Sequence, residues 1–528
     1  NIIRHLNPLD ASKVLANKGL LKLLEDANKL GSGLYKMGFK GKRVAIIGKN
    51  RYEWSLSYIT NFLGGIVSVP LDKDLQYDEL ERSLIRSKAE CIIFDEKLEE
   101  SVTKIRNQEK TSLKEFICMS ELKGFKSITD VMNEGTKALE NNYNDYINSE
   151  INNDEMAVLL FTSGTTAQSK AVMLSQKNIA TNVYDLQSME DINEKDVSIA
   201  LLPFHHIFGS TCMIYTLACG VRIVFADGLR YVKQNLAEYK VTMFVGVPLL
   251  MESIYKNVMK EIERQGKTKL IKIATPITNF LLKLGIDVRR KIYKAVIDGL
   301  GGALRLVIIG GAPADPKILQ AFDNFGITTL QGYGLSETSP VVCAENAKVK
   351  RNGSCGHPMP SFEVEVVNKD ELGIGEIRAK GPCVMLGYYE MPEETTEVLR
   401  DGWFYTGDLG YFDLKGCLHI TGRNKNMIVL ANGKKVERDI KLSLSDRCQL
   451  RTLTKRIRKD GSIDSISFEE YVLLCKKMKI DIVLAGVGGQ GIPPIATIIG
   501  NAAAVAGINL KQAEVHGMSQ RGGDVQSN

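Results

Sequence analysis

MAVLLFTSGTTAQSK, residues 156–170, is the stretch from which the fold is read. Its apolar run over 156–161 has the length of a buried strand, and it empties into five hydroxyl residues, Gly164 and Lys170. A loop of this kind aims backbone N–H groups, hydroxyls and one cation at phosphate oxygens. It is not the G-x-x-x-x-G-K-[ST] phosphate loop, so triphosphate-hydrolase chemistry does not transfer, and a Ser/Thr-rich loop is often only a loop. The same grammar recurs upstream. KRVAIIGKN (42–50), IVSVPLD (66–72) and CIIFDE (91–96) are apolar, β-branched runs that end in polar turns, and 19–38 has helix-spaced apolar residues. Strands alternating with helices predict an α/β class, with ligands at the carboxyl ends of the strands. Residues 97–155, polar and Asn-rich, read as a surface excursion.

At 528 residues the chain has room for three or four domains, which excludes a small stapled fold. Sixty-eight Lys and Arg against 62 Asp and Glu leave +6, too weak a balance to argue for nucleic acid or an anionic membrane. Ten cysteines, scattered with no C-x-x-C pair, argue against a zinc ribbon and for a reducing compartment, with cytoplasm as the default. The opening residues, starting at Asn1, show no signal-peptide pattern and read as an internal fragment end. Residues 482–510 carry no charge, yet GVGGQG (486–491) and Pro493-Pro494 would break an inserted helix, so they read as strand, turn and helix rather than a membrane span.

Three further clusters bear on chemistry. In QGYGLSET (331–338) Tyr333 could stack on a purine and Glu337 could hold Mg²⁺, although the same letters also suit a helix cap. In GWFYTGDLG (402–410) Asp408 suits a ribose diol, or merely a turn. In TGRNKNMIVLANGKKV (421–436) Arg423 offers a fork of donors to sugar or phosphate oxygens, or is a surface arginine. Between 362 and 430 short strands punctuated by turn residues predict a β-rich subdomain.

Taken in order, FTSGTTAQSKAVMLSQKNI, LPFHHIFG, GGAP, GYGLSETSP, GEIRAKGPCVMLGYY and DGWFYTGDLGYFDLKGCLHITGRNKNMIVLANGKKV resemble successive core motifs of the adenylate-forming superfamily over about 15–436. Within it, the double histidine and NKNMIVLANGK look most like long-chain fatty-acid ligases. The resemblance implies an N-terminal domain over 1–421 with two α/β subdomains and a β-rich one from about 350, followed by a hinge at 422–436. It implies ATP, Mg²⁺ and CoA as reaction partners for a carboxylic acid, which attacks the α-phosphate before the CoA thiol takes the acyl group. It also implies roles: Thr162, Ser163, Gly164, Thr165, Thr166 and Lys170 as the phosphate loop, Glu337 on Mg²⁺ and Tyr333 on adenine. Gly311, Ala312, Pro313, Gly332, Gly334 and Thr338 would line the nucleotide site, and Asp408 and Arg423 would bind ribose. His206 would gate the acyl site, with His205 structural, and Lys425 would mark the hinge. Ala167, Ser169 and Ala171 stand where glycine, proline and glycine are usual, and the added β-carbons restrict that loop.

After Val436 the resemblance ends. Residues 437–477 form a basic linker, and no match follows to the motif that brings a lysine to the α-phosphate. Loss of one such cation is expected to slow adenylation by ~3–4 kcal/mol of barrier. MKIDIVLAGVGGQG with EVHGMSQRGGDV (514–525) resembles the start of the β subunit of indolepyruvate ferredoxin oxidoreductase, a partial gamma-type segment over 478–528. A half domain buries too little apolar surface to offset its ordering entropy, so 437–528 is expected to be poorly ordered or loosely docked. The expected activity is an acid–thiol ligase, impaired or not. The alternatives are a nucleotide or acyl-adenylate binder without turnover, and a component of a 2-oxoacid oxidoreductase complex. Neither a nucleic-acid partner nor a transmembrane segment is expected.

Overall fold

The computed structural model describes residues 18–162, 170–351 and 353–423, and the backbone strands Met427–Val429 and Lys435–Glu437. The first sheet is built from β1 (Arg43–Ile47), β2 (Val67–Leu71), β3 (Cys91–Phe94), β4 (Glu115–Cys118), β5 (Lys126–Ser127), β6 (Met156–Phe161) and β7 (Ala171–Ser175). Six of these run parallel in the order β6-β2-β1-β3-β4-β5, and β7 lies antiparallel beside β6. Val44 to Ile47 and all of β2 are buried, as the unbroken apolar runs require of strands covered on both faces.

The reading of 97–155 as an excursion is corrected here. It supplies β4 and β5, which extend the sheet in register with β3, and a helix, Ile128–Glu140, that packs along the helix Lys18–Lys36. That packing is close. A β-carbon on Gly135 would fall 1.8 Å from the Lys29 carbonyl oxygen, so only glycine permits the crossing. Ile117, Cys118, Ile128 and Val131 are all buried, and the polar residues between them lie outside except Ser127, which caps the helix.

The second sheet contains β8 (Val197–Ala200), β9 (Arg222–Phe225), β10 (Met243–Gly246), β11 (Leu306–Ile309), β12 (Thr328–Gly334), β13 (Val341–Ala344) and β14 (His357–Pro358). Its order is β14-β13-β12-β11-β10-β8-β9, parallel from β12 to β9, so the carboxyl ends of β11 and β12 lie side by side. The third, antiparallel sheet holds β15 (Glu363–Val367), β16 (Gly375–Lys380), β18 (Leu399–Arg400), β19 (Trp403–Phe412) and β20 (Leu418–Arg423). Along β19 burial alternates residue by residue, which turns Phe404, Thr406 and Asp408 inward. The remaining strand, β17 (Gly387–Tyr388), leaves the β-rich region and pairs with β7 on the first sheet.

These features match the α/β expectation with a β-rich third part. The basic linker at 437–477 and the 478–528 segment lie outside the described residues, as do Ser163, Gly164, Thr165, Thr166 and Lys425.

Candidate active site

β6 and β7 form a hairpin whose loop begins at Thr162 and returns at Lys170. The two ends are tied together: Thr162 donates both its N–H (2.9 Å) and its hydroxyl (3.0 Å) to the Lys170 carbonyl. The Thr162 hydroxyl proton is thus engaged in closing the loop at the foot of the two strands. Lys170 Nζ stands 4.4 Å from the centre of the Tyr388 ring. That ring comes from β17, fixed against β7 by bonds from Leu386 N–H to the Met173 carbonyl and from Tyr389 N–H to the Ala171 carbonyl.

The Tyr388 hydroxyl donates to Glu337 Oε1 at 2.9 Å, and burial together with the Glu337 charge drives the phenol far above its usual range. Glu337 is buried, and its second oxygen, Oε2, has no hydrogen-bond partner among the described residues. A buried carboxylate oxygen without a donor is costly, and it is also a good ligand for a hard divalent cation. The residue therefore fits Mg²⁺. Its turn is held from behind. Leu335 N–H donates to the Thr338 hydroxyl, which donates in turn to the Pro340 carbonyl, and a β-carbon on Gly334 would lie 1.8 Å from that same oxygen. Thr338 is fully buried, and its side chain shapes the turn that carries Glu337.

Asp408 sits across from Arg423 in the β19–β20 register. Its Oδ2 accepts from the Tyr333 hydroxyl at 2.7 Å and its Oδ1 from Arg423 Nε, while its own N–H donates to Thr406 Oγ1. Burial, then the Asp408 charge, pushes the Tyr333 phenol well up. Arg423 is largely buried, a burden on its charge that Asp408 more than offsets, with smaller help from Tyr333 and Glu337. Gly332, Tyr333 and Gly334 end β12, and Gly311, Ala312 and Pro313 follow β11 next to it. The structure thus brings Lys170, Tyr388 and Glu337 into one chain of contacts and Tyr333, Asp408 and Arg423 into another. Arg423 feels the charge of Glu337 across the gap.

His206 caps the start of the helix Ile207–Ala218 and is exposed, 4.2 Å ring to ring from His205. His205 is the less exposed of the two, its Nε2 3.5 Å from Asp72 Oδ2. Burial, then its neighbour His206, lowers its pKa to about 4, against the pull of Asp72.

Residue-level reading missed Tyr388, although GYY closes a motif that it quoted, and it missed two asparagines that build the site. Asn182 Nδ2 donates to the Val341 carbonyl and its Oδ1 accepts from Val341 N–H, while Asn178 Nδ2 bridges the carbonyls of Pro382 and Val384. Both lie on the helix Gln176–Gln187, which so positions β13 and the approach to β17. Polar residues at buried helix positions were the available signal.

The family model described as "AMP-binding enzyme" matches residues 21–389, and one described as "Pyruvate ferredoxin/flavodoxin oxidoreductase" matches 481–528. A chloroplastic long-chain-fatty-acid–[acyl-carrier-protein] ligase of Arabidopsis thaliana is 27% identical over 77% of this chain and 66% of its own length. The long-chain-fatty-acid–CoA ligase FadD15 of Mycobacterium bovis is 27% identical over 76% of the chain and 69% of its own. The chain spans about two thirds of these curated relatives. The crystal structure of a long-chain-fatty-acid-CoA ligase from Archaeoglobus fulgidus superposes with a TM-score of 0.63 at 22% identity, over 77% of each chain, and shares the fold.

Proposed function

This chain belongs to the AMP-binding enzyme family, and from that premise we propose that it joins a carboxylic acid, a long-chain fatty acid by analogy with its relatives, to CoA at the expense of ATP. The observation that carries this reading is the open oxygen of Glu337 beside the Lys170–Tyr388 contact. An anionic carboxylate must approach an anionic α-phosphate, so fixed positive groups have to meet the oxygen charge that builds up.

Lys170 is the cation on the described side of the phosphate loop, and Tyr388 holds one oxygen of the Glu337 carboxylate, the other being buried with no hydrogen-bond partner among the described residues. Mg²⁺ held there would neutralise phosphate charge and let pyrophosphate leave. Asp408, oriented by Tyr333 and Arg423, offers its remaining acceptor sites to the ribose hydroxyls, and the glycine-rich ends of β11 and β12 leave room for a purine. His206 stands at the start of its helix as the gate toward the acid. Attack forms the acyl–phosphate bond and releases pyrophosphate, and thiol attack then releases AMP. Among the described residues, seven buried cysteines outside any disulfide support a reducing compartment, with the cytoplasm as the proposed location.

The test is exchange of radiolabelled pyrophosphate into ATP by the full chain. Mg²⁺-dependent exchange that needs a long-chain acid supports the ligase. Magnesium-dependent ATP binding by calorimetry without exchange would leave a nucleotide binder, and failure to bind ATP overturns the proposal. The match at 481–528 favours a second reading, a component of a 2-oxoacid oxidoreductase complex. Co-purification with a partner carrying thiamine diphosphate and iron–sulfur clusters is its test.

A further inference from the structure

The helix Thr268–Lys283 is built inside out. A surface helix normally turns its large apolar residues to the core and its polar ones to water. Here the inward side carries Ile271, Ala274, Thr275 and Thr278, and polar contacts help to dock it: Thr275 Oγ1 lies 2.9 Å from the Tyr293 hydroxyl, and Asn279 donates to Asn324 Oδ1 at 3.1 Å. The large apolar side chains point out. Leu270 is 63% exposed, Ile273 65%, Ile277 53%, Phe280 62% and Leu284 61%. Their spacing, three or four residues at each step, lines them along one stripe of the helix, and Leu284 carries it just past the end.

The charge around that stripe has one sign. Between Gln265 and Ile286 there are four lysines, Lys267, Lys269, Lys272 and Lys283, and no acidic residue. The last three make no ion pair among the described residues. The chain as a whole is close to balanced, so this is a local feature. An apolar stripe of large side chains with lysines alongside is the composition of a helix that lies in the plane of an anionic bilayer, its apolar face among the acyl chains and its lysines at the headgroups. A second copy of this chain fits less well. A two-fold contact of the stripe with itself would bring the lysine flanks of both copies together. No described helix is long and apolar enough to cross a membrane, which agrees with lying on a surface and not spanning it.

We infer that Thr268–Lys283 is a membrane-docking surface that seats the protein on an anionic lipid face, and this holds whichever acid the enzyme activates. The test is co-sedimentation of the full chain with phosphatidylcholine vesicles, with and without phosphatidylglycerol. The expected result is binding to the anionic vesicles that weakens with salt. Lys269→Gln with Lys272→Gln should weaken it about thirtyfold, from ~1 kcal/mol per lysine near the surface. Ile273→Ser with Ile277→Ser should weaken it roughly a hundredfold or more, since each loses most of a buried aliphatic side chain. As a second measurement on the unaltered protein, hydrogen exchange over 268–284 should slow when anionic vesicles are added. Protein that stays in the supernatant with unchanged exchange overturns the inference. So does a lipid-free dimer that Ile273→Ser and Ile277→Ser render monomeric, because the stripe would then be a contact between copies.

Discussion

Glu337 is half satisfied: Tyr388 holds one oxygen and nothing described holds the other. Glu337→Gln should therefore keep the fold, with a melting temperature close to that of the parent, yet lower pyrophosphate exchange by about a hundredfold or more by removing a preorganised charge. Unchanged magnesium dependence would rule out the assignment. Asp408 differs because it neutralises a largely buried guanidinium. Asp408→Ala should cost about 3–5 kcal/mol in urea unfolding as well as ATP affinity, since the largely buried Arg423 charge would lose the carboxylate that offsets its burial. A stability unchanged within error would mean that Arg423 simply turns outward. His205 sets an acid limit. Its pKa falls from 6.5 to about 4 in the fold, so the unfolded chain takes up the proton first. Stability should drop as pH falls through that window, by on the order of 3 kcal/mol at its end, and His205→Phe should flatten the drop in urea midpoints. The acids and the lysine were legible because each stands beside a glycine or a hydroxyl run. Tyr388 was not, because its partners come from other segments. The backbone carbonyls that the Thr162 and Thr338 hydroxyls meet were not legible either, because the sequence does not show which hydroxyls bond to the backbone.

At the scale of elements, two asparagines on the helix Gln176–Gln187 tie distant strands to it. Asn182→Ala would strand the N–H and the carbonyl of Val341, both buried, and should destabilise the chain by about 2–4 kcal/mol with a raised KM for ATP. Stability loss with no change in KM would confine Asn182 to holding the fold. The long apolar strands were readable because a strand buried on both faces needs an uninterrupted apolar run. β4 and β5 were not. They are four and two residues long, lie at the sheet edge and sit in polar text, so neither period nor composition marked them. The helix Ile128–Glu140 was hidden for a similar reason, since its packing rests on a glycine contact more than on bulk.

For the molecule as a whole, the candidate site draws on the three large sheets: Lys170 beside β7 and Tyr388 on the first, Tyr333 at the end of the second and Asp408 on the third. A ligand that bridges them must stabilise the assembled state. Saturating Mg²⁺ and ATP at a hundred times Kd should add about 2.7 kcal/mol to unfolding, seen as a higher melting temperature that Glu337→Gln diminishes. No shift at saturating nucleotide would mean that the site does not form. The sequence alone determined the α/β class, the β-rich third part and the order of the chemical motifs, because strand period, turn chemistry and loop composition are properties of neighbouring residues. Only the tertiary structure decided that Tyr333 meets Asp408 75 positions away, that Tyr388 is spliced beside Lys170, and which way the stripe from Leu270 to Leu284 faces. Burial and hydrogen-bond satisfaction depend on partners far along the chain, and those partners are set by how the sheets pack.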